Sequence, residues 1–313
     1  MAAESKTVIV AALIGNGIIA VTKFIAAAIS GSSAMLAEGI HSVVDTGNQV
    51  LMLLGLARAK RPPDARFPFG HGKEVYFWSF VVALSIFAVG AGISLYEGII
   101  HLLHPAELGD PTINYIVLGI AIVAESLAWW FAWQGFAAAK GHKGSLQAVR
   151  EGKDPTLFVV LFEDSAALLG LLVALFGVAM AQATGNPVFD AIATIIIGVL
   201  LAVVAIWLAL ETKGLLIGEA AHPEVHDGIR ELADEIPEVD GINELVTLHM
   251  GPEHVIVTLS LDFRDDIPAQ QVEAVVGRLN GTIKERFPAV KRVFIEVESW
   301  TSHRQQLAAD GPA

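Results

Sequence analysis

Apolar side chains fill six long runs of the chain, roughly 7–29, 33–57, 75–103, 112–138, 156–183 and 188–214. A helix crosses the hydrocarbon core of a bilayer in about 20 residues. Every run reaches that length, so the pattern predicts six transmembrane helices. All thirteen prolines lie outside the runs, as uninterrupted helices require. After about residue 215 the period changes. "EVHDGIRELADEI" spaces Val225, Ile229, Leu232 and Ile236 along one helical face. "GINELVTLHM" and "HVIVTLSLDF" read as two strands joined at Gly251 and Pro252, "AQQVEAVVGRLNGTIKERF" as a second amphipathic helix, and "RVFIEVES" as a third strand. The pattern therefore predicts a six-helix all-α membrane bundle over 1–215, then an α+β domain of ferredoxin-like order α-β-β-α-β over 216–301. Residues 302–313 read as a disordered tail.

Composition agrees. Hydrophobic residues make up 54% of the chain, mean hydropathy is +0.58 and charged residues are 17%, too apolar for an ordinary soluble domain. Charge is uneven: from Leu216 onward 18 acidic residues face 8 basic ones, against 15 and 12 before it. An acidic domain repels phosphate backbones, which argues against nucleic acid as a partner. No cysteine is present, so neither disulfides nor thiolate metal ligands are available. The N-terminus has Lys6 followed by an apolar stretch without a convincing cleavage site, and reads as a first span and not as a signal peptide.

Lysine and arginine orient the bundle. Arg58, Lys60, Arg61, Arg66 and Lys73 follow the second run, and Lys140, Lys143, Arg150 and Lys153 follow the fourth, while the loops after the first, third and fifth carry none. Positive residues stay cytoplasmic, so both termini lie inside, as an even number of spans also requires. Trp129, Trp130 and Trp133 suit an interfacial belt.

Polar residues inside the runs change the picture from scaffold to chemistry. Glu38, His41, Asp45 and Asn48 in "EGIHSVVDTGNQ" fall at helical spacing and make one polar stripe on the second span. A charge at the bilayer centre costs about 2.5–3.5 kcal/mol on insertion scales, so such residues face a partner. The fifth span holds Glu163 and Asp164, about 100° apart on a helix. Asp164 is expected to face the stripe, because Ala167 and Gly170 beyond it permit close helix contact. An imidazole with two or three carboxylates suits Zn²⁺ and tolerates Mn²⁺, Fe²⁺ or Co²⁺. Emptied of metal, such a cluster must take up protons, which metal binding then expels. Metal–proton exchange is the chemistry of an antiporter. A lone His–Asp pair is often just a structural hydrogen bond; two acidic clusters on different spans weigh against that here. Glu97 and Glu125 read as capping, interfacial or helix-pairing groups, Asn16 as a hydrogen-bonding residue, Lys23 as a snorkelling or paired cation, and Asp190 as an acid complementing the dipole at the start of the sixth span.

"HSVVDTGNQ", "FEDSAA", "FPFGHGKEVYFWSF" and "LLIGEAAHPE", set in six spans and a ferredoxin-like tail, resemble the cation diffusion facilitators, and among them the subgroup that includes mitochondrial zinc transporters. The resemblance covers residues 7–300. It implies export of Zn²⁺ or a related cation from the cytoplasm by a homodimer in exchange for protons. It also implies a transport site with two residues four apart on each of the second and fifth spans. His41 and Asp45 match the first pair and Asp164 the last position, whereas Val160 stands where a ligand belongs. The fourth donor is then Asn48, Glu163 or water, and an oxygen donor would shift preference toward Mn²⁺ or Fe²⁺. Asp64 and His71 match two positions of a loop site in some relatives, with Phe67 replacing a histidine, which implies a weak site or none. In the tail, Asn243, Glu296 and Glu298 stand at positions of a regulatory site, and His222, His226, His249 and His254 do not match its pattern. The tail reads as a dimerisation module, with Glu296 and Glu298 on a solvated face.

Three function classes compete: an exporter, a membrane metal sensor or scaffold, and a membrane enzyme. No H-E-x-x-H, G-x-S-x-G or P-loop occurs, which weakens the enzyme. The compact carboxylate cluster differs from the repeated ring of a channel. With no transit-like N-terminus and no His-rich loop, the chain reads as bacterial and its membrane as the cell membrane.

Overall fold

The computed structural model describes residues 2–105, 110–140, 144, 145, 148, 149 and 152–310. Lys143 and Arg150, two of the orienting cations, and residues 311–313 of the tail lie outside the described residues. The chain divides into two compact units, Met1–Arg58 with Val75–Lys213, and Ala59–Glu74 with Gly214–Ala313.

The first unit holds α1 (Ala2–Ser30), α2 (Ser33–Ala59), α3 (Glu74–Leu103), α4 (Thr112–Lys140), α5 (Pro155–Thr184) and α6 (Val188–Ile217). Among the described residues, four stretches are long and apolar enough to cross a membrane: Glu74–Leu103, Thr112–Ala138, Pro155–Thr184 and Val188–Ile217. In α1 a shorter apolar stretch, Asn16–Ser30, qualifies by composition. α2 falls below the others because it carries the polar stripe. Gly31, at φ 69°, makes the left-handed turn that reverses the chain from α1 into α2. α5 is punctuated as helix chemistry requires. Asp154 caps its start by accepting from the Thr156 amide at 3.0 Å, Pro155 takes the first position where no donor is needed, and Gly185 ends it at φ 66°.

The expectation of uninterrupted helices fails in α3. Residues Ile86–Ala91 form a π turn without any proline. The run is rich in small residues, and the Ser94 hydroxyl donates back to the Gly90 carbonyl at 2.7 Å, giving the loosened turn a side-chain partner.

The second unit holds α7 (Pro223–Asp234), β1 (Val239–Gly251), β2 (His254–Phe263), α8 (Ala269–Arg286), β3 (Val290–Val297) and α9 (Trp300–Asp310). The sheet order is β1-β2-β3, with β1 antiparallel and β3 parallel to β2. Alternate β2 residues Val255, Val257, Leu259 and Leu261 turn to Ile229 and Ala233 of α7 and to Val275, Leu279 and Ile283 of α8, forming the core. The loop 59–74 belongs to this unit. A Cβ on Gly72 would overlap the Met250 carbonyl, so the loop lies against the β1–β2 turn, and Phe69 meets Phe294 edge-on.

Over residues 302–310, α9 corrects the reading of the tail as disordered. Ser299 starts the helix, accepting from the Ser302 amide through Oγ at 3.3 Å and from the His303 amide through its carbonyl at 3.0 Å. His303 then anchors it, with Nδ1 at 3.1 Å from Glu298 Oε2.

Candidate metal centre

The site is built on α2, and α2 is fixed first at its N-terminus. Four amide donors at a helix start have no internal partner. Here the partner comes from another helix. Asp190 of α6 accepts from the Ser33 amide at 2.6 Å, the Ala34 amide at 3.3 Å, the Ser33 hydroxyl at 2.9 Å and the Ser32 hydroxyl at 2.6 Å. Ser33 and Thr194 share a further hydroxyl contact at 2.7 Å. Asp190 therefore caps α2 while standing in the first turn of α6, where the sequence reading placed it.

Below this cap runs the polar stripe. His41 Nε2 lies 3.4 Å from Asp45 Oδ2, and His41 is 2% exposed. Asn48 Nδ2 donates to Glu163 Oε1 of α5 at 2.7 Å, joining the stripe to the fifth span. The Asp45 and Glu163 carboxyls lie within hydrogen-bonding reach of each other. The structure thus brings His41, Asp45, Asn48 and Glu163 together.

Asp164 does not take the position expected of it. Glu163 is the acid that reaches α2, and Asp164 is only half-buried. Ala167 and Gly170 stand four and seven residues beyond Glu163, on its own face, and both are buried. The small residues that argued for Asp164 therefore mark the face of Glu163. Asp164 stays within electrostatic range of Glu163 and of Glu125.

Two further groups join the cluster. Glu125 of α4 acts on Glu38, Asp45, Glu163 and Asp164, and lines a small polar recess with Asn16, Ile19, Ser42 and Asp45. Its reading as a merely helix-pairing or interfacial acid missed this, because only the packing of α4 against α5 and α1 turns it inward. Lys23 of α1 is paired, not snorkelling: its ammonium donates to Glu38 Oε2 at 3.1 Å and to Ser42 Oγ at 2.8 Å, and it is 1% exposed.

The donors are present but not closed. Among the described residues no three His, Asp or Glu side chains surround a single point as a bound ion requires. Yet both ring nitrogens of His41, Asp45 Oδ1 and Glu38 Oε1 are buried without a hydrogen-bond partner. Buried polar atoms left unsatisfied in this density are costly, at about 1–3 kcal/mol each. Their donor types, one imidazole and several carboxylates, are those a dication accepts.

The other sequence candidates resolve individually. In the loop, Asp64 Oδ1 accepts from the amides of Arg66 at 2.8 Å and Phe67 at 2.7 Å, and Oδ2 lies 3.5 Å from His71 Nε2. The Phe67 amide, with help from Arg66, holds the Asp64 carboxyl below its usual range. The Phe67 ring packs at 4.7 Å on the His71 ring, where a third ligand would stand. In the tail, Asn243 Nδ2 donates to the Glu298 carbonyl at 2.7 Å and to Ser260 Oγ at 3.2 Å. Glu296 is exposed, but the Glu298 side chain pairs with His303 and is not on a solvated face. His222 caps α7, His226 contacts Asp227 at 3.1 Å, and His249 contacts the Gly251 carbonyl at 3.1 Å.

Two family models match the chain: the cation efflux transmembrane domain over residues 9–217 and the cation efflux protein, cytoplasmic domain, over 221–300. The chain belongs to the cation efflux family. The resemblance read from its motifs is thereby shown. Among relatives of this family, the proton-coupled zinc antiporter SLC30A9, mitochondrial, of Xenopus laevis is 33% identical over 89% of this chain and 51% of its own length. The Homo sapiens protein of the same name is 33% identical over 82% and 46%. The cation-efflux pump FieF of Escherichia fergusonii is 28% identical over 83% of this chain and 81% of its own length. The chain spans about half the length of the first two relatives. These relatives carry the names of transporters, not of enzymes.

Proposed function

We propose that this cation efflux protein is a proton-coupled antiporter that exports a divalent transition-metal cation, Zn²⁺ first, from the cytoplasm by alternating access. The observation that carries the reading is a buried cluster in which both His41 ring nitrogens and Asp45 Oδ1 lack a hydrogen-bond partner, with Glu163 of the fifth span brought beside them through Asn48. Family membership and the zinc antiporter names of relatives support it. All six helices of the first unit span the cell membrane, α1 and α2 included, with both termini cytoplasmic. The second unit is a ferredoxin-like cytoplasmic domain through which two copies pair.

His41 and Asp45, one turn apart on α2, form the near half of the site. Glu163 supplies the donor that Val160 lacks. To bind, it turns from Asn48, and Asn48 or Asp164 completes the shell. Glu125 adds negative charge to the recess beside Asp45. The ion and protons compete for the same carboxylates, so arrival of one releases the other. Access alternates when the helices rock about this fixed pair, exposing it to one side at a time.

Purified protein in liposomes, acid inside and with a metal-sensitive dye trapped there, tests the reading. Zn²⁺ entry should follow the outward proton gradient, and Asp45→Ala and Glu163→Ala should abolish it. Metal binding without flux would make the protein a sensor or scaffold instead. Mn²⁺, Fe²⁺ and Co²⁺ measured in the same assay rank the substrates. Val160→His should raise preference for Zn²⁺ over Mn²⁺; an unchanged ratio means that Glu163 or Asn48 already closes the shell.

A further inference from the structure

Glu38 belongs to the stripe but not to the pairing of His41 with Asp45. It sits three residues toward the capped end of α2, about 4.5 Å further along the axis. It is wholly buried, and only one of its oxygens has a partner: Oε2 receives Lys23, while Oε1 has none. The free oxygen points at α5 where Gly170 leaves room; a Cβ there would stand 2.6 Å from it. The Lys23 ammonium bridges Glu38 to Ser42, and Ser42 lines the recess shared with Asp45 and Glu125. Its charge acts on Glu38, His41, Asp45 and Glu125 together.

A purely structural link needs no such pair. Buried ion pairs seldom beat an apolar pair of similar volume, because two charges must be stripped of water. Lysine is also the compact, mobile form of positive charge, unlike the fixed fork of arginine. What the pair does offer is a carboxylate half used by a tethered cation, next to a site for a free one.

From this we infer that Glu38, with the Ser42 hydroxyl, is a second cation-binding position on the outward side of the His41–Asp45 site, and that Lys23 is its built-in competitor. This rests on the transport reading above. The ammonium holds Glu38 whenever no metal is there. A dication leaving His41 and Asp45 toward the capped end displaces it, passes through Glu38 and is expelled as the ammonium returns. Lys23 thus limits the protein to one tightly held ion and blocks back-flow.

Equilibrium dialysis of the purified full chain against Zn²⁺ tests this, with liposome flux of the wild type measured alongside. Lys23→Met should bind one more Zn²⁺ per chain than wild type, and Lys23→Met/Glu38→Gln should return to the wild-type number. Equal numbers in those two variants would overturn the inference. Should Lys23→Met fail to fold, Glu38→Gln and the double variant carry the same question. In Glu38→Gln the freed ammonium turns to the recess, so Zn²⁺ at the main site should weaken roughly tenfold, with recovery in the double variant. Equal affinities would mean a structural pair only. A wild type that neither binds nor moves Zn²⁺ would instead defeat the transport reading itself.

Discussion

Two buried polar clusters lie on α2, roughly two turns apart, and they treat charge in opposite ways. At the N-terminal end Asp190 is 6% exposed and receives four donors from Ser32, Ser33 and Ala34. In the middle His41 is 2% exposed, yet neither of its ring nitrogens has a hydrogen-bond partner, nor has Asp45 Oδ1 or Glu38 Oε1. Burial is alike and satisfaction is not. A saturated carboxylate is a joint that ties two helices together. A group of undersaturated donors is what the proposed cation site requires, and it is held by helix packing independently of the joint above it.

The comparison can be broken most severely in the middle. Asp45→Asn keeps the shape and removes a charge, and should abolish Zn²⁺ flux while thermal unfolding in detergent stays near wild type. Loss of folding with loss of flux would make Asp45 a structural group like Asp190. The converse change comes next. Asp190→Ala strands two amides and the Ser32 hydroxyl, leaving the Ser33 hydroxyl only Thr194, and should lower stability by about 2–4 kcal/mol by the usual cost of lost caps and charged hydrogen bonds. Zn²⁺ affinity of the protein that remains folded should be unchanged.

The third test separates the neighbours on α5. Glu163→Gln still accepts from Asn48, so unfolding should shift little, whereas Zn²⁺ affinity should fall by roughly 100-fold, at the top of the range for lost outer groups or beyond it. Asp164→Asn should cost roughly tenfold or less. The reverse ranking, read by metal titration, would return the fifth-span ligand to Asp164. The smallest effect belongs to the second unit. His303→Ala should loosen α9 by about 1 kcal/mol, the net worth of one hydrogen bond, and leave flux at the wild-type rate.

These tests fall where sequence reading succeeded and where it stopped. The helices of the first unit were legible because each apolar run approaches the thickness of a bilayer. The stripe was legible because Glu38, His41, Asp45 and Asn48 keep helical spacing. Which acid reaches α2 was also written there, in Ala167 and Gly170 at four and seven residues from Glu163, whereas the sequence reading took these small residues as favouring Asp164. Other features had no local signal. The partner of Asp190 lies 157 residues away at Ser33, that of Glu163 lies 115 away at Asn48, and Glu125 turns inward only once α4 is packed. The π turn of α3 left no proline to mark it. α9 had a signal in Ser299 and the helix-forming residues after it, which the reading of a polar chain end as disorder overrode.

The central claim is that His41 and the carboxylates beside it receive the metal. Zn K-edge X-ray absorption on the purified, Zn²⁺-loaded protein addresses it directly. The account predicts a shell of nitrogen and oxygen at about 2.0–2.1 Å, with the multiple-scattering signature of a bound imidazole that disappears in His41→Ala. An imidazole signal that persists unchanged in His41→Ala at equal Zn²⁺ loading would contradict it.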